Sequence, residues 1–428
     1  MTDQAVPLRP PTVLSTPRLS PVDSDHRLHT LDILRGLALF GMILVHFHQK
    51  MGIEVTGLED LIAWGVWILV EQKAWGIFAF LFGVGFAVLL RRLEARNAPV
   101  VAIYLRRLAV LAVFGVIAQV GFGFSILVAY AAWGVVLLFI RRWSTPALLA
   151  TAVVAAAARP VTAELSALYT WWTHGTWSPP FANPLRQAAE AAAQNADYLT
   201  LLSARWALFL GGLPHAWRDL LPDTNLALFC LGLLAVRLRI LDEPLRHRRI
   251  IAAFMAYGAV SWAAHWLLFR DLPELPVPGT AGPLSEGLGL LLDQWLCLTY
   301  IGAVVLLLAG RPVWTERLRI VGCTGRMALS NYMFQIVVLD ALASGYGWKL
   351  RLRPVVYVFA AVLLFAVEAA FSSAWLSRFR FGPLEWLWRT LTYARVQPLR
   401  RVEPNRSIPG SPELREPGIA DPATGRQP

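Results

Sequence analysis

The chain has 428 residues, 56% of them hydrophobic and only 16% charged, with 18 Trp and a formal net charge of +11. Apolar runs of about 17–22 residues recur along it, the length a bilayer-crossing helix requires, so the chain reads as integral membrane protein throughout. The positive charge does not point to nucleic acid, because the arginines stand at the ends of apolar runs and not in one soluble basic domain.

Residues 1–26 are polar and Pro-rich, read as a disordered cytoplasmic segment with no cleavable signal. The first predicted span, 31–48, is apolar yet carries Asp32, Arg35 and His46. Each such group costs about 2.5–3.5 kcal/mol at mid-membrane, so each is a functional-site candidate by default. Arg35 and His46 are eleven positions apart. That is close to three helical turns, so they share one face about 16 Å apart along the axis. A cation near one side and an imidazole near the other suit a ligand with an anionic head and a reactive far end. Asp32, three positions before Arg35, suits a local salt bridge or a cap at the helix start. His48 is expected just past the helix, at the interface.

The apolar stretch Leu61–Gln72 stops at Glu71-Gln72-Lys73 and is placed in the interface. Further spans are predicted near 74–90, 107–122, 125–140, 147–163, 224–240, 250–269, 287–309, 327–343 and 354–376, which makes ten. The loops at 91–107, 141–142, 237–249 and 311–326 are strongly basic, and those at 49–73, 164–222 and 270–286 are mixed or acidic. Basic loops belong inside, which puts both termini in the cytoplasm. Leu199–Pro214 is then re-entrant or interfacial, since a full crossing would carry the arginines of 237–249 outside. The run Lys349–Arg353 is a local exception to this charge pattern. The extracytoplasmic segment 164–222 holds an Ala-rich stretch, Gln187–Asp197, suited to a helix, and either covers an external site or merely connects spans. Residues 381–395, entered through Gly382-Pro383, suit a helix anchored at the inner surface. Residues 402–428 are read as a disordered cytoplasmic tail. The fold class is all-α, a polytopic integral membrane helix bundle of about ten transmembrane helices, with 27–401 as the membrane domain.

Several stretches resemble one family. Arg27-Leu28-His29-Thr30-Leu31-Asp32-Ile33-Leu34-Arg35-Gly36-Leu37-Ala38 resembles the opening of the YeiB family of bacterial membrane proteins (domain of unknown function 418). Phe80-Leu81-Phe82-Gly83-Val84-Gly85-Phe86 resembles its second-span motif. Gly325-Arg326-Met327-Ala328-Leu329-Ser330-Asn331-Tyr332 and Phe381-Gly382-Pro383-Leu384-Glu385-Trp386-Leu387-Trp388-Arg389 resemble its C-terminal signature. The first-helix pattern is also similar to the membrane acyltransferases of family 3 and to heparan-α-glucosaminide N-acetyltransferase. In family 3 an Arg, ten intervening residues and a His are the functional signature, and Arg35 and His46 match that spacing. The resemblance implies a cytoplasmic acyl-CoA donor, an acceptor acylated on the outer side, and residence in a bacterial cytoplasmic membrane. The chain also departs from the pattern. His46 stands where many YeiB relatives have Asn. Gln119 and Phe124-Ser125-Ile126-Leu127 stand where relatives show a His and a Gly-Asp-Ile-Leu run, so a carboxylate expected there is missing.

For acyl transfer, a neutral imidazole at His46 would take the acceptor's proton or carry the acyl group itself. Arg35 would hold a donor phosphate, for which a planar bidentate group is suited. The alternatives are a bundle histidine and a snorkelling arginine paired with Asp32. Asn331 and Gln335 share a face one turn apart. With Tyr332 and Asp293 they line a substrate path or act as interhelical hydrogen-bonding groups. Cys230, Cys297 and Cys323 give neither a disulfide framework nor metal spacing, and no permanently bound cofactor or metal is expected. The leading reading is a membrane acyltransferase that moves an acyl group, acetyl first, from acyl-CoA to a hydroxyl or amine of an envelope glycan or lipid. The alternatives are a transporter of a small anionic or amphipathic solute and a noncatalytic membrane scaffold. The expected partners are the bilayer, acyl-CoA and that acceptor, with no nucleic acid.

Overall fold

A computed structural model describes residues 29–53, 55–174, 183–216, 224–269 and 292–401. The expected disordered ends 1–26 and 402–428, parts of the 164–222 segment and the first residues of the span at 287–309 lie outside the described residues. The described residues are almost entirely helical; their only β pairing is two isolated bridges, Gly52 with Leu352 and Phe379 with Arg400.

In chain order the helices are α1 (His29–Met51), α2 (Leu58–Leu69), α3 (Lys73–Ala95), α4 (Val100–Phe122), α5 (Leu127–Ile140), α6 (Thr145–His174), α7 (Pro184–Asn195) and α8 (Tyr198–Gly212). They continue with α9 (Thr224–Arg237), α10 (Arg248–Phe269), α11 (Leu296–Gly310), α12 (Val313–Arg317), α13 (Arg319–Arg326), α14 (Ala328–Ala343), α15 (Pro354–Arg378) and α16 (Pro383–Tyr393). The stretches His29–Met51, Leu58–Ala95, Val100–Phe122, Arg248–Leu267 and Pro354–Arg378 are long and apolar enough to cross a membrane. Shorter apolar helices occupy Leu127–Ile140, Thr145–Ala158, Thr224–Arg237, Leu296–Gly310 and Ala328–Ala343. The chain is a multi-pass, all-α membrane protein.

Helix α1 is the axis of the bundle. It is buried on nearly every side and packs on α3, α13, α14 and α15. Its approach to α13 is reciprocal. A Cβ on Gly36 would strike the Val321 carbonyl, and a Cβ on Gly325 would strike the Asp32 carbonyl. Lipid offers helices no hydrophobic drive to associate, so close backbone approach over small residues supplies the packing energy. Gly83 of α3 and Gly232 of α9 meet in the same reciprocal way. The Arg-Gly, Phe-Gly and Gly-Arg motifs are therefore packing sites as well as family marks.

One local expectation is corrected. His48 lies inside α1, which runs on to Met51, and its Nδ1 is 3.0 Å from the Tyr357 hydroxyl. The basic run 349–353 also has a structural account. Arg351 donates to the carbonyl of Ala343 at the C-terminal end of α14, where a cation is favourable, and Arg353 pairs with Glu59 of α2 at 2.8 Å. The Ala-rich stretch is helical as expected: α7 begins at Asn183, whose Oδ1 accepts from the N–H groups of Leu185 and Arg186. Asp197 caps α8 likewise, and the Thr200 hydroxyl and N–H hold its carboxyl below the usual range.

Candidate functional site

At the N-terminal end of α1 and α14 four arginines, Arg35, Arg107, Arg326 and Arg389, line one cavity of about 230 Å³. Arg35 donates to Asp32 at 2.8 Å, the local pair its spacing allows, and is still 27% exposed. Arg107 lies 3.7 Å from the centre of the Trp388 ring, whose indole N–H donates back to the Arg107 carbonyl at 2.9 Å. Arg389 covers the Phe381 ring at 4.6 Å. The acid that joins them in the lining, Glu385, is engaged elsewhere. It accepts from the N–H groups of Leu329 and Ser330 at 2.7 and 3.0 Å and from the Ser330 hydroxyl at 2.6 Å, which caps the start of α14. Burial pushes the Glu385 carboxyl up, and the bonds from Ser330 oppose that shift. Four guanidinium groups against two engaged carboxylates, Asp32 and Glu385, leave the mouth of the cavity positively charged.

Beyond the arginines the walls turn apolar, with Phe78, Leu81, Phe82 and Leu111, and the far end is closed by Met42, Ile126, Leu127 and Tyr332. Tyr332 accepts from the Ile126 N–H at 3.3 Å. Met42 and His46 are one turn apart on the same face of α1 as Arg35. His46 does not line the cavity. It is 2% exposed, its Nε2 has no hydrogen-bond partner, and the Phe124 ring stands edge-on to it at 4.5 Å. An imidazole nitrogen buried without a partner is costly and calls for an explanation.

A second polar cluster sits at the opposite end of α1 and α14. Asp340, 1% exposed, receives both arms of the Arg205 guanidinium at 2.9 and 2.7 Å, the Lys50 ammonium at 3.4 Å, the Ser344 hydroxyl at 2.9 Å and the Tyr346 hydroxyl at 3.0 Å. Arg205 comes from α8, the segment that the charge pattern left re-entrant or interfacial.

The remaining candidates are held apart from the cavity. Asn331 binds the Thr324 carbonyl at 3.1 Å and the Ser372 hydroxyl at 3.0 Å, and so ties α13 and α14 to α15. Gln335 donates to Glu368 at 2.8 Å across the α14–α15 contact. Asp293 forms a close ion pair with Lys73, a lysine that is 1% exposed. Of the six candidates, Arg35 and Tyr332 meet in one cavity, His46 lies just past its end, and Asn331, Gln335 and Asp293 belong to helix–helix contacts. No group of three metal-ligating side chains occurs among the described residues. Glu385, Trp388 and Arg389 of helix α16, expected only as an anchor at the inner surface, line the cavity.

Sequence reasoning passed over Arg205 and the pairing of Asp340. The available signal was an arginine in the middle of the apolar run Tyr198–Gly212, which the membrane cost of charge marks for a buried partner.

Two family models match the chain. The model described as "Heparan-alpha-glucosaminide N-acetyltransferase, catalytic" matches residues 27–211, and "Protein of unknown function (DUF418)" matches residues 235–395. The uncharacterized protein YxaH of Bacillus subtilis (strain 168) is 28% identical over 411 residues, covering 90% of this chain and 98% of its own. An uncharacterized 39.9 kDa protein of Bacillus acidopullulyticus is 25% identical, covering 89% of this chain and 98% of its own. The uncharacterized protein YeiB of Escherichia coli (strain K12) is 35% identical over 78 residues, 18% of this chain and 20% of its own. The chain is similar to the YeiB (DUF418) proteins. No solved structure matches it. The N-terminal, membrane-acetyltransferase-like part of the chain supplies Arg35, Met42, His46, Arg107 and Arg205. The DUF418 half supplies Tyr332, Asp340, Glu385, Trp388 and Arg389. The cavity and the Asp340 cluster are each built from both halves.

Proposed function

We propose that this protein transfers an acyl group, acetyl first, from acyl-CoA on the cytoplasmic side of a bacterial plasma membrane to a hydroxyl or amine on the outer side. In this reading ten helices cross the bilayer, both termini are cytoplasmic, and α7 and α8 lie outside. The observation that carries it is the order of groups along one face of α1. Arg35 and Met42 line a single arginine-mouthed cavity, and His46 follows one turn later with a buried Nε2 that lacks a partner. Coenzyme A carries phosphates at one end and a thioester at the end of an extended arm. The arginines Arg35, Arg107, Arg326 and Arg389 hold the phosphates, and the apolar walls take the arm. The roughly 16 Å from Arg35 to His46 along the helix is on the scale of that arm.

The chemistry follows from the imidazole. Nε2 takes the proton of the acceptor hydroxyl as its oxygen attacks the thioester carbonyl, and the proton returns to the departing thiolate as the C–S bond breaks. In the two-step route Nε2 itself attacks, the thiolate leaves, and the acceptor displaces the acyl group from the imidazole. A burst of labelled enzyme before acceptor is added marks the second route.

The test uses purified protein in nanodiscs with radiolabelled acetyl-CoA. Arg35→Ala removes a charge-assisted hydrogen bond worth about 1.5–3 kcal/mol and weakens donor binding roughly 10- to 100-fold. His46→Ala leaves donor binding in place and lowers transfer about 10²- to 10⁴-fold. Well-folded wild-type protein that binds neither acetyl-CoA nor longer acyl-CoAs overturns the reading, and solute uptake is then the assay to run.

A further inference from the structure

His46 is sealed in this conformation, and the seal is held from the side away from the arginine cavity. The cover is Phe124, in the strap 121–126, made of the last two residues of α4 and its link to α5. The outer end of the strap is held by groups that belong to the far cluster. The Gly121 carbonyl accepts from Arg205 at 2.9 Å and from the Tyr198 hydroxyl at 3.3 Å, and the Phe122 carbonyl accepts from Lys50 at 3.3 Å. Gly123 has φ +76°, and a Cβ there would meet the Arg205 guanidinium at 2.8 Å. The inner end of the strap, Ile126, closes the cavity and is tied to Tyr332. One short segment therefore touches the Arg205 cluster, covers His46 and ends the donor cavity.

Arg205 and Tyr198 both come from α8. The α7–α8 hairpin packs on α4 through α8, where Leu201 is buried, and is tied to the bundle by Arg205 on Asp340, Tyr198 on Gly121 and against the Tyr346 ring at 5.1 Å, and the Gly345 N–H on the Ala193 carbonyl at 2.7 Å.

We propose that the α7–α8 hairpin is an acceptor-side lid, that the Arg205–Asp340 pair is its latch, and that Phe124 is the plug the latch holds over His46. When the hairpin lifts, Arg205 leaves Asp340 and Gly121 and Tyr198 leaves Gly121 with it, so the strap loses two of the bonds that fix its outer end and Phe124 is free to move off the imidazole. The proposal rests on the acyl-transfer reading only for what passes the lid, an acceptor arriving from outside. The closed state keeps water from a thioester beside His46 until that acceptor opens the site.

Access to position 46 tests the lid without any need for acyl transfer. The full-length protein carries His46→Cys alone, with Arg205→Gln, or with Phe124→Ala. Right-side-out vesicles are treated with a membrane-impermeant thiol reagent, and labelling at each cysteine is followed by site-resolved mass spectrometry. Cys230 and Cys297, fully buried elsewhere, are internal controls for unfolding. The expected result is slow labelling at position 46 in the single variant and at least tenfold faster labelling in each double variant, with Cys230 and Cys297 unchanged. An unchanged rate at position 46 with Phe124→Ala overturns the plug. An unchanged rate with Arg205→Gln, or a rise in step with Cys230 and Cys297, overturns the latch. Accelerated labelling in the cysteine variants, with no acetyl transfer by the wild-type protein, keeps the lid and loses the acyl-transfer reading. Acetyl transfer by the wild type with labelling unmoved in the cysteine variants does the reverse.

Discussion

Removing Asp340 should cost far more than removing the arginine that grips it. The two partners are equally engaged with each other, through bonds of 2.9 and 2.7 Å, but not equally supplied with alternatives. Asp340→Ala leaves Arg205, 8% exposed, with the Gly121 carbonyl and with Lys50 as a second cation in the same cluster. Breaking a buried pair in this way costs about 3–5 kcal/mol, and two facing cations place this case at the upper end. Arg205→Ala leaves the carboxylate still served by Lys50 at 3.4 Å, Ser344 at 2.9 Å and Tyr346 at 3.0 Å, so its cost falls to about 3 kcal/mol or less. The double variant leaves only Lys50, whose side chain is 23% exposed and can reach water, so it costs less than the sum of the singles by about 1–3 kcal/mol. Reversible unfolding in mixed micelles of rising dodecyl sulfate fraction, followed by circular dichroism, gives the three values. Equal single costs, with a double variant additive within about 0.5 kcal/mol, would refute the argument that Asp340 is the hub of a buried network.

Three further outcomes are expected. Gly325→Ala places a Cβ against the Asp32 carbonyl and pushes α13 off α1, lowering stability in the same assay by about 1–3 kcal/mol. Glu385→Ala leaves the N–H groups of Leu329 and Ser330 without their acceptor and costs about 1–3 kcal/mol, whereas Glu385→Gln, whose amide oxygen still accepts, recovers most of it in a thermal-shift measurement. Asp293→Leu alone strands the 1% exposed Lys73 and costs about 3–5 kcal/mol, while Lys73→Met with Asp293→Leu returns close to wild type and binds acetyl-CoA normally, because the pair is not in the cavity wall.

Much of the fold was legible because the bilayer leaves a chain few options. Every apolar run had to satisfy its backbone internally, so each became a helix, and the breaks at Gly123, Arg141 and Arg311 fall where glycine or charge interrupts the run. The Arg35–Asp32 pair was legible because spacing on one helix is a local property. What could not be read was which helix each polar group would face. Asn331 and Gln335 share a face of α14, but only the packing of α15 shows that the face is filled by Ser372 and Glu368. Asp293 looked like a path residue because nothing local reveals that Lys73, 220 positions away, lies against it. The lysine at 73 also marked the apparent end of an apolar stretch, whereas it is the buried first residue of α3. Arg205 was missed for the same reason, since its partner is 135 positions on.

The long-range pairs share a consequence. Arg35 and Arg107 come from the acetyltransferase-like half, and Glu385, Trp388 and Arg389 from the DUF418 half, yet they line one cavity; Arg205 and Asp340 repeat the division at the opposite end. A charged residue in an apolar helix is tolerable only when its counter-charge is in place, and Lys50, Lys73 and Arg205 find theirs across the halves, in Asp340 and Asp293. These ion pairs hold together the two segments that line the cavity, so substitutions that spare Arg35 and His46 can still disturb the site by letting the halves part. The six-residue strap at 121–126 is where this coupling is tightest. Its carbonyls answer to Arg205 and Lys50, its phenyl ring covers His46, and its last N–H binds Tyr332. The Phe-Ser-Ile-Leu run that departs from the family's Gly-Asp-Ile-Leu pattern falls within this strap and just beyond it. In that run Ser125 stands at the aspartate position, and Phe124, at the glycine position, covers the imidazole.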